Sequence, residues 1–593
     1  MRFRLRCARQ LLRQTRIKPI FVTLLVALTW VPTLFAQPRP PLEEEAPAQL
    51  RLPYTPPRTT IAEPDPVAPP ELSQEGDYRS YPNRWEITPP PYEMNVRGSR
   101  WDPYNQNRLK GDFPIAGDDR FLNLTASYDL LLEYRTVPTP SGASAERPES
   151  VGFFGRDGQF FSNQNLSFSV DLFKGDTAYR PIDWRVKTTV VANDNRLIVE
   201  ERGGVNVNVQ EGTRRARQRL AFQELFAEVK LADFSPNYDF VSLRAGIQPF
   251  QSDFRGFIFT DSNFGVRLFG TLHSNRDQFN LAFFDPLEKE TNSGLNTLTR
   301  RNRKIGVVNF YRQDFLVKGY TTQVSAHYLR DEATLHFDRN GFLARPDPVG
   351  IAKPHTTEVS YLGWTGEGHI HKMNITHAFY KALGEDGTNL MANRPVDIRA
   401  TMAALEVSAD HDWWRPRLAY FYASGDEDPT DSVAEGFDAI FDNPAFAGGG
   451  NSYWNRLGLR LAGTGVALVN RGSLLPDLKS SKEEGQPNFV NPGLHLVSAG
   501  LDLELTPKFR AMFNVNALRF DRTETFNLLL FQSNIDKKIG WDLSAGCKYR
   551  PFLNNNVILQ AGVAMFLPNT GFAAIYESDR PLYLGWTQMT LTF

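Results

Sequence analysis

Cysteine and long apolar stretches are scarce in this 593-residue chain, and each scarcity excludes a class of protein. The only cysteines are Cys7 and Cys547, so neither a disulfide framework nor a cysteine-based metal site is expected. After residue 36, no apolar run reaches the roughly 20 residues that a membrane-spanning helix requires. The mean hydropathy of −0.38 agrees with this. A helical membrane protein is therefore excluded.

An excess of one charge is also missing. The 66 basic and 67 acidic residues leave a formal net charge of −1, which excludes nucleic acid as a partner and an acidic solvating chain as the class. The sequence further lacks a nucleophile elbow, a phosphate-binding loop and a Cys-x-x-Cys-His haem motif. Nothing indicates an enzyme, and no cofactor is predicted apart from a calcium ion considered below.

Aromatic residues, by contrast, are abundant. The chain holds 43 Phe, 20 Tyr and 10 Trp, although it is polar on average. This combination is typical of a transmembrane β-barrel, because only every second residue of each strand meets lipid.

The N-terminal 118 residues form three segments of different composition. A basic stretch followed by the apolar run Pro19 to Ala36 predicts a signal peptide over residues 1–36; a transmembrane anchor is the alternative reading of an apolar run of that length. Fifteen prolines between residues 37 and 100 predict a disordered periplasmic leader over 37–82. The less biased segment 83–118 is expected to dock at the periplasmic mouth of the barrel or to enter it as a plug.

From residue 119 to 593 the chain alternates apolar and polar residues. Leu122, Leu124 and Ala126, for example, lie opposite Asn123 and Thr125, because side chains of a strand point alternately to its two faces. Eighteen such strands are predicted, most of them long enough to cross a bilayer, at 121–135, 164–173, 183–193, 220–231, 241–249, 264–272, 278–285, 303–313, 320–330, 357–365, 369–380, 398–410, 416–424, 494–505, 509–520, 539–550, 556–567 and 582–593.

The connections between these strands are alternately long and short, as in a transmembrane barrel with short periplasmic turns and longer external loops. A soluble β-sandwich is the alternative, but it has no reason to follow this rhythm. The fold class is therefore all-β, a transmembrane antiparallel β-barrel of about 18 strands in the outer membrane, surrounded by lipid. An even strand number places both termini in the periplasm. The last strand ends at Phe593, which resembles the assembly signal that the barrel-assembly machinery recognises.

Cations outnumber anions modestly on the face predicted to line the lumen. Charged rings in an aqueous channel select solutes by sign, so an anion-selective lumen is one hypothesis. Pairing of these charges across strands is the other. The candidate lumen and selectivity residues are Arg135, Arg185, Lys187, Lys230, Arg244, Arg267, Arg510, Lys548 and Arg550.

The longest predicted loop, 425–493, opens with a distinctive motif. Ser424-Gly425-Asp426, Pro429, Asp431, Phe437-Asp438 and Phe441 resemble the signature of the alginate-export-type outer-membrane family, a porin-like family of Gram-negative bacteria. The resemblance covers residues 220–450 in pieces and departs from the family pattern at Ile247, where a second arginine is usual. It implies an eighteen-stranded channel that passes anionic sugars, polysaccharide or other small solutes.

Two further features of this loop carry hypotheses. Clustered carboxylates suit a hard cation, so Asp426, Asp428, Asp431 and Asp438 are candidate calcium ligands, with a solvated acidic loop as the alternative. Apolar residues around Trp454, between glycine-rich ends, need a surface to bury against. They predict either a constriction folded into the barrel or a docking segment for an external partner.

A passive outer-membrane channel of porin or export type is therefore the leading hypothesis. The alternative is a barrel that acts as a sheath or docking protein for a periplasmic partner, such as a multihaem cytochrome, which the N-terminal leader would hold.

Overall fold

The computed structural model describes residues 107–137, 155–175, 181–201, 214–339, 341, 343–346, 350–457, 473–475, 484–576 and 579–593. The predicted signal peptide, the leader and the first part of the segment 83–118 lie outside these residues.

Eighteen strands form the barrel, and we number them in chain order. They are β1 (Arg120–Thr136), β2 (Gly155–Lys174), β3 (Trp184–Glu201), β4 (Arg214–Asp233), β5 (Phe240–Gln251), β6 (Thr260–Leu272), β7 (Asp277–Phe284), β8 (Arg303–Arg312), β9 (Tyr320–Asp331), β10 (Thr357–Ile370), β11 (Met373–Asn389), β12 (Arg394–Ala409), β13 (Trp414–Ala423), β14 (Leu494–Thr506), β15 (Phe509–Arg519), β16 (Lys538–Tyr549), β17 (Val557–Pro568) and β18 (Leu582–Thr592).

Each barrel strand pairs antiparallel with the next, and β1 pairs antiparallel with β18 from Ser127↔Thr592 to Arg135↔Leu584. The sheet therefore closes on itself and leaves no unpaired edge, which is what hydrocarbon surroundings require of backbone N–H and C=O groups. The predicted fold class is confirmed. All eighteen predicted strands are present.

The largest differences from the predicted boundaries lie in the strands that extend farther toward the long loops. β4 begins at Arg214 rather than at residue 220, and β2 begins at Gly155 rather than at 164. The long connection expected at 381–397 is wrong: β11 and β12 extend until only residues 390–393 join them. The apolar alternation stops in these extensions while the hydrogen bonding continues, so hydropathy alone did not reveal them.

Short turns lie at one end of the barrel and most long connections at the other. We call these the short-turn end and the long-loop end. The long-loop end carries two small hairpins (Leu287–Lys289 with Asn296–Arg300, and His336–Phe337 with Leu343–Arg345) and three short helices, α1 (Tyr453–Leu457), α2 (Glu524–Leu530) and α3 (Thr570–Tyr576). Among the described residues, no helix is long and apolar enough to cross a membrane.

The outer face of the barrel is apolar. Leu166, Phe168, Val308, Leu418 and Val563 each expose more than half of their surface, although their strand neighbours are buried or half-buried. In a soluble protein such a band would be an aggregation hazard, whereas in a bilayer it is the surface that lipid covers.

The first and last strands meet at a seam near the short-turn end. Phe593 exchanges two backbone hydrogen bonds with Ala126, of 2.8 and 3.2 Å, just beyond the end of β18. Closer to the short-turn end, the segment before the barrel pairs with β1 in place of β18: Leu109 O accepts from Leu124 N, and Lys110 Nζ donates to Leu124 O. Lys110 Nζ also lies 4.3 Å from the centre of the Phe593 ring. The described part of the segment 83–118 is thus bound to the wall of the barrel. The assembly role of Phe593 stays a prediction.

The two faces of β2 should respond oppositely to a new charge. Phe168→Arg places a cation on the lipid face and should cost roughly 2–4 kcal/mol near the bilayer midplane, whereas Ser167→Arg faces the lumen and should fold. The free energy of unfolding in lipid vesicles, measured by urea titration, checks this. Equal losses in the two variants would contradict the assignment of faces.

Candidate functional site

The inner face of the barrel is not uniform around the ring. From β7 to β14 its half nearer the long-loop end carries many buried apolar residues, with a few buried polar ones among them. The apolar residues include Phe284, Val307, Leu329, Tyr361, Tyr380, Ile398, Met402, Phe421, Leu494 and Leu496. From β1 to β4 it is mainly polar. An aqueous lumen would have no reason to line half its wall with apolar residues, so something inside the barrel must cover them.

The cover begins with residues 252–259, the connection between β5 and β6, which we call the inner loop. The Asp253 carboxylate accepts hydrogen bonds from the backbone N–H groups of four following residues, Arg255, Gly256, Phe257 and Ile258, at 2.6–3.2 Å. These bonds fold the loop into a compact turn. Burial raises the pKa of Asp253.

The barrel wall holds the inner loop at its start. The Ser252 carbonyl accepts from Gln323 Nε2 at 2.6 Å and Asn309 Nδ2 at 3.1 Å, and Tyr380 Oη donates to Asp253 Oδ2 at 3.1 Å. These wall residues belong to β8, β9 and β11. The inner loop therefore turns into the barrel and docks on the wall at the far side from β1.

The long loop between β13 and β14 lies on the inner loop. Phe441 N donates to Ile258 O at 2.9 Å, and Asn443 N donates to Gly256 O at 3.0 Å. Phe441 also forms a parallel bridge with Phe259. Residues 437–447 thus add a second layer to the inner loop, and the apolar residues of both layers belong to one core with the wall of β7–β14.

A wall carboxylate anchors the far end of this second layer. Asp542 of β16 is fully buried and accepts from the Ser452 hydroxyl, from Tyr453 N at 3.1 Å and from Trp454 N at 3.3 Å. It therefore caps helix α1 from outside the helix. Asn516 of β15 supports both partners, because its Nδ2 donates to Ala447 O and to Asp542 Oδ2.

An ion pair completes this anchor. Arg456 of α1 donates to Glu133 Oε2 of β1 at 2.7 Å and lies 4.5 Å from the centre of the Trp586 ring. Arg135 binds the other oxygen of Glu133 at 3.1 Å and also donates to Gln159. All of these charges are buried, and each is paired, as buried ions must be.

We call residues 252–259 together with 437–457 the partition. It runs from β8, β9 and β11 across the interior to β1 and β16, because its two ends are held at those strands. The part of the inner wall left beside it is that of β1 to β4. The predicted inward folding of the segment around Trp454 thus matches the placement of its described part, up to Leu457.

The wall beside the partition is lined by small polar residues and arginine, which we call the polar path. Asn193 Nδ2 donates to Asn163 Oδ1 at 2.6 Å and to Asn165 Oδ1 at 2.7 Å, so the amides are held in place. The half-buried inward residues of the path are Thr125, Ser127, Asp129, Asn163, Asn165, Ser167, Ser169, Thr189, Arg217 and Arg219.

Three arginines stand in a row on the inner face of β4. Arg215, Arg217 and Arg219 pair with Leu197, Asn195 and Asn193 of β3, all of which face inward. This row lies outside the predicted strand, which begins at residue 220 instead of Arg214. The signal was available: arginine alternates in Arg215-Ala-Arg217-Gln-Arg219, which is the period of a strand.

Most of the predicted lumen residues face inward, and the majority carry a partner. Arg185 binds Asp171 at 2.6 Å, Lys187 binds Glu224 at 2.8 Å, and Arg244 binds Glu228 at 2.6 Å. Lys230 bridges Asp183 and Asp233, Arg267 donates to Asn280, and Arg510 binds Asp502. Lys548 lies half-buried at the end of β16 and Arg550 in the turn after it.

Arg135 differs from the other predicted lumen residues. It has no exposed surface and lies under the partition, so a solute cannot reach it in this conformation. Its observed partners are those of a structural ion pair.

The four candidate calcium ligands do not converge. Asp426 Oδ2 accepts from Glu435 N, Asp428 from Thr430, Asp431 from Val433 N, and Asp438 from Ala439 N and Asn488 N. Each carboxylate thus accepts a backbone hydrogen bond, and Asp438 joins two distant parts of the long loop through Asn488. Within the part of the chain that the structure describes, no three His, Cys, Asp or Glu residues form a group that could hold a metal ion.

Comparison with known families decides the classification. The family model described as alginate export matches residues 146–459, which is just over half of the chain. The chain belongs to the alginate-export family. As such it is an outer-membrane β-barrel channel for the passage of solutes, and the family resemblance stated from the loop motif is confirmed.

Solved structures similar to this alginate-export chain come from Pseudomonas species. OccK9 (OpdG) of Pseudomonas aeruginosa has 10% identity and a TM-score of 0.45, and the match covers 80% of this chain and 98% of that one. OccK5 (OpdH) of the same organism has 11% identity, a TM-score of 0.40 and coverages of 79% and 98%. A BenF-like porin from Pseudomonas fluorescens Pf-5 has 8% identity and a TM-score of 0.41, and the match covers 80% of this chain and 98% of that one. No curated protein matches the sequence.

The root of the long loop of this family member should respond to pH. Burial, together with the nearby carboxylates of Asp431, Glu435 and Asp428, raises the pKa of Asp426 to about 7. A carboxyl with a raised pKa stabilises the fold below its unfolded value near 4 and loses that contribution as the pH rises through 7. Proteolysis of the long loop should therefore be faster at pH 8 than at pH 5.

Asp426→Asn should remove this pH response, and Asp412→Asn, an exposed change in a short turn at the other end of the barrel, should leave it unchanged. The rates of cleavage at pH 5 and pH 8 give the measurement. The same pH response in wild type and Asp426→Asn would contradict the assignment to Asp426.

The partition should control conductance. Deleting residues 445–470 removes the segment held by Asp542 and Glu133, and single-channel conductance in a planar bilayer should rise. Arg456→Met should leave an oxygen of Glu133 without its donor, which should cost about 1–3 kcal/mol of folding free energy. Hydrogen–deuterium exchange of residues 445–457 should therefore become faster.

The matched control is Arg399→Met, which removes an exposed ion pair with Asp397 on β12. It should change neither the conductance nor the hydrogen–deuterium exchange of residues 445–457. Unchanged conductance in a correctly assembled deletion variant would exclude the constriction role and favour a docking role for this segment.

Proposed function

We propose that this protein is a passive channel for anionic solutes, which move along the polar path between the partition and the wall of β1–β4. The short-turn end and both chain termini face the periplasm in this proposal. The barrel-assembly machinery inserts the chain, and the leader is available to a periplasmic partner.

Arg217 and Arg219, the two half-buried arginines of the row on β4, are the observation that supports this proposal best. A guanidinium binds a carboxylate or sulfate through two parallel hydrogen bonds and keeps its charge at any physiological pH. The row follows the strand, so an anion can pass from one arginine to the next instead of being held at one site. Conduction requires this kind of weak binding at several points.

The amides opposite the arginines favour a solute that also carries hydroxyl groups. Asn163, Asn165 and Asn193 offer both donors and acceptors at the height of Arg217 and Arg219. Anionic sugars, or a polysaccharide made of them, combine carboxylates with hydroxyls. They are the solute class that this lining fits.

The sheath hypothesis receives no such support. A partner threaded through the barrel would need a free interior, and the partition fills the half lined by β7–β14 with an apolar core. A cytochrome could then meet only the mouth of the barrel.

Charge selectivity tests the proposal. The reversal potential of the purified channel under a potassium chloride gradient should indicate preference for chloride. Removing a charge about 4 Å from a passing ion changes its energy by about 1 kcal/mol in a water-like medium, so Arg217→Gln and Arg219→Gln should each lower the anion preference by up to about fivefold. Arg399→Gln, on the outer face of β12, is the control. A cation-selective wild type would refute the proposal.

A soluble oligosaccharide built of uronic acids tests the finer claim. It should block the chloride current in brief events, and the block should weaken in Arg217→Gln. A neutral oligosaccharide of equal length should block less.

A further inference from the structure

The outer wall of β2, β3 and β4 contains a cleft of about 520 Å³. Ala192 of β3 forms its floor, and the directly paired Leu166 of β2 and Leu220 of β4 form its sides. Leu166 is 57% exposed and Leu220 is 68% exposed. The small side chain between two large ones leaves a groove on the face that meets lipid.

A row of polar side chains crosses the wall immediately above this groove. Gln164, Asp194 and Gln218 are directly opposite one another on the three strands. Gln218 Nε2 donates to Asp194 Oδ2 at 3.0 Å, and Tyr128 Oη of β1 donates to Gln164 Oε1 at 2.8 Å. These bonds fix the row but leave further donors and acceptors of the amides available.

With the short-turn end in the periplasm, on which this inference rests as part of the proposed function, the row lies where the outer edge of the hydrocarbon layer is expected. Gln164 lies ten residues from the short-turn end of β2 at Lys174, and Asp194 lies ten residues from that of β3 at Trp184. A tilted strand needs about 9–11 residues to cross the hydrocarbon. The groove therefore faces acyl chains, and the polar row faces headgroups.

The wall continues well above the row. β3 runs seven residues beyond Asp194, to Glu201, and seven residues at about 3.3 Å each extend roughly 23 Å along the strand. Among the described side chains above the row, Arg196 and Arg214 are exposed cations, and Asp194 in the row itself binds Arg196 at 3.3 Å. A headgroup that is tall and anionic matches this surface better than a small one.

From these observations we propose that the cleft is a binding site for an outer-leaflet glycolipid. One acyl chain lies over Ala192 between Leu166 and Leu220, and a phosphorylated saccharide headgroup contacts Gln164, Gln218 and the two arginines. The site is continuous with the lipid-facing band of the barrel, which makes lipid the natural occupant. It is separate from the polar path, because it lies on the opposite face of the same strands.

A second copy of the chain fits the cleft less well. In a two-fold contact each copy would present the same face, so the projecting leucines would meet each other and the groove would stay empty.

Native mass spectrometry of the purified protein in detergent tests the proposal, with bisphosphorylated lipid A as the probe. Wild type should retain one lipid A. Ala192→Phe fills the groove with an apolar side chain that is tolerated on a lipid face, and it should weaken binding about tenfold. The double variant Arg196→Gln/Arg214→Gln should weaken binding to a similar extent, and lipid A lacking one phosphate should bind less tightly to wild type.

The matched control is Ala326→Phe. Ala326 also lies between two large apolar residues on the outer face, Val308 and Leu362, but no comparable amide row stands above it. This variant should bind lipid A as wild type does. Both phenylalanine variants should conduct as wild type does, so the outcome is independent of the channel proposal.

Three results would overturn the glycolipid site. They are equal binding by wild type and Ala192→Phe, equal loss in Ala192→Phe and Ala326→Phe, and binding of phosphatidylglycerol as tight as that of lipid A. A dimer that Ala192→Phe abolishes would likewise overturn it, and would assign the cleft to a second copy.

Discussion

The Asp253 carboxylate accepts hydrogen bonds from four backbone N–H groups of its own loop and from the hydroxyl of Tyr380. A chain segment that turns into a barrel leaves the strand ladder, and its backbone donors must find other acceptors. One buried carboxylate supplies them here. Every further layer of the interior depends on that turn, because the long loop forms its backbone bonds with residues 255–258 of the same turn.

At the far side of the interior, buried carboxylates again accept hydrogen bonds from a loop, but here they belong to the barrel wall. These carboxylates are Asp542 on β16 and Glu133 on β1. A segment held by buried charge at both ends resists displacement, since breaking a buried pair leaves an unpaired ion in a medium of low dielectric. The lumen is asymmetric for this reason: the partition is fixed against the wall of β7–β14, and the polar wall of β1–β4 is the one along which we propose that solute passes.

The sequence was sufficient to predict the barrel because the bilayer imposes its pattern on every strand. Leu166, Phe168 and Val170 alternate with Ser167 and Ser169. This apolar period does not depend on which residues line the lumen, so all eighteen strands could be recognised. The pattern fails where a strand leaves the hydrocarbon, as at Arg214–Arg219, because both faces are then polar. The family motif at Ser424–Phe441 supplied the class of protein.

The candidate site was only partly predictable, since it depends on contacts between distant residues. Arg135 and Lys187 both follow the inward period, but Arg135 meets Glu133 under Arg456 whereas Lys187 meets Glu224 beside the path. The sequence around Arg135 and Lys187 does not show which of them is buried under the partition and which lies beside the path. The role of Asp253 was equally hidden, because a lone aspartate after a strand reads as an ordinary turn residue.

The extension of β2, β3 and β4 beyond the bilayer accounts for both surfaces to which a ligand is assigned. Side chains alternate across a strand, so residues 214–220 of β4 present Arg215, Arg217 and Arg219 to the lumen and Arg214, Gln218 and Leu220 to the outside. Arg215 and Arg217 on the inner face and Arg214 on the outer face would not exist if the strands ended with the hydrocarbon. The inner row needs a wall that continues upward beside the partition, and the outer surface needs a wall as tall as a saccharide headgroup. One structural feature, three strands longer than the membrane requires, thus creates a lining for anions on one face and a surface for anionic lipid on the other.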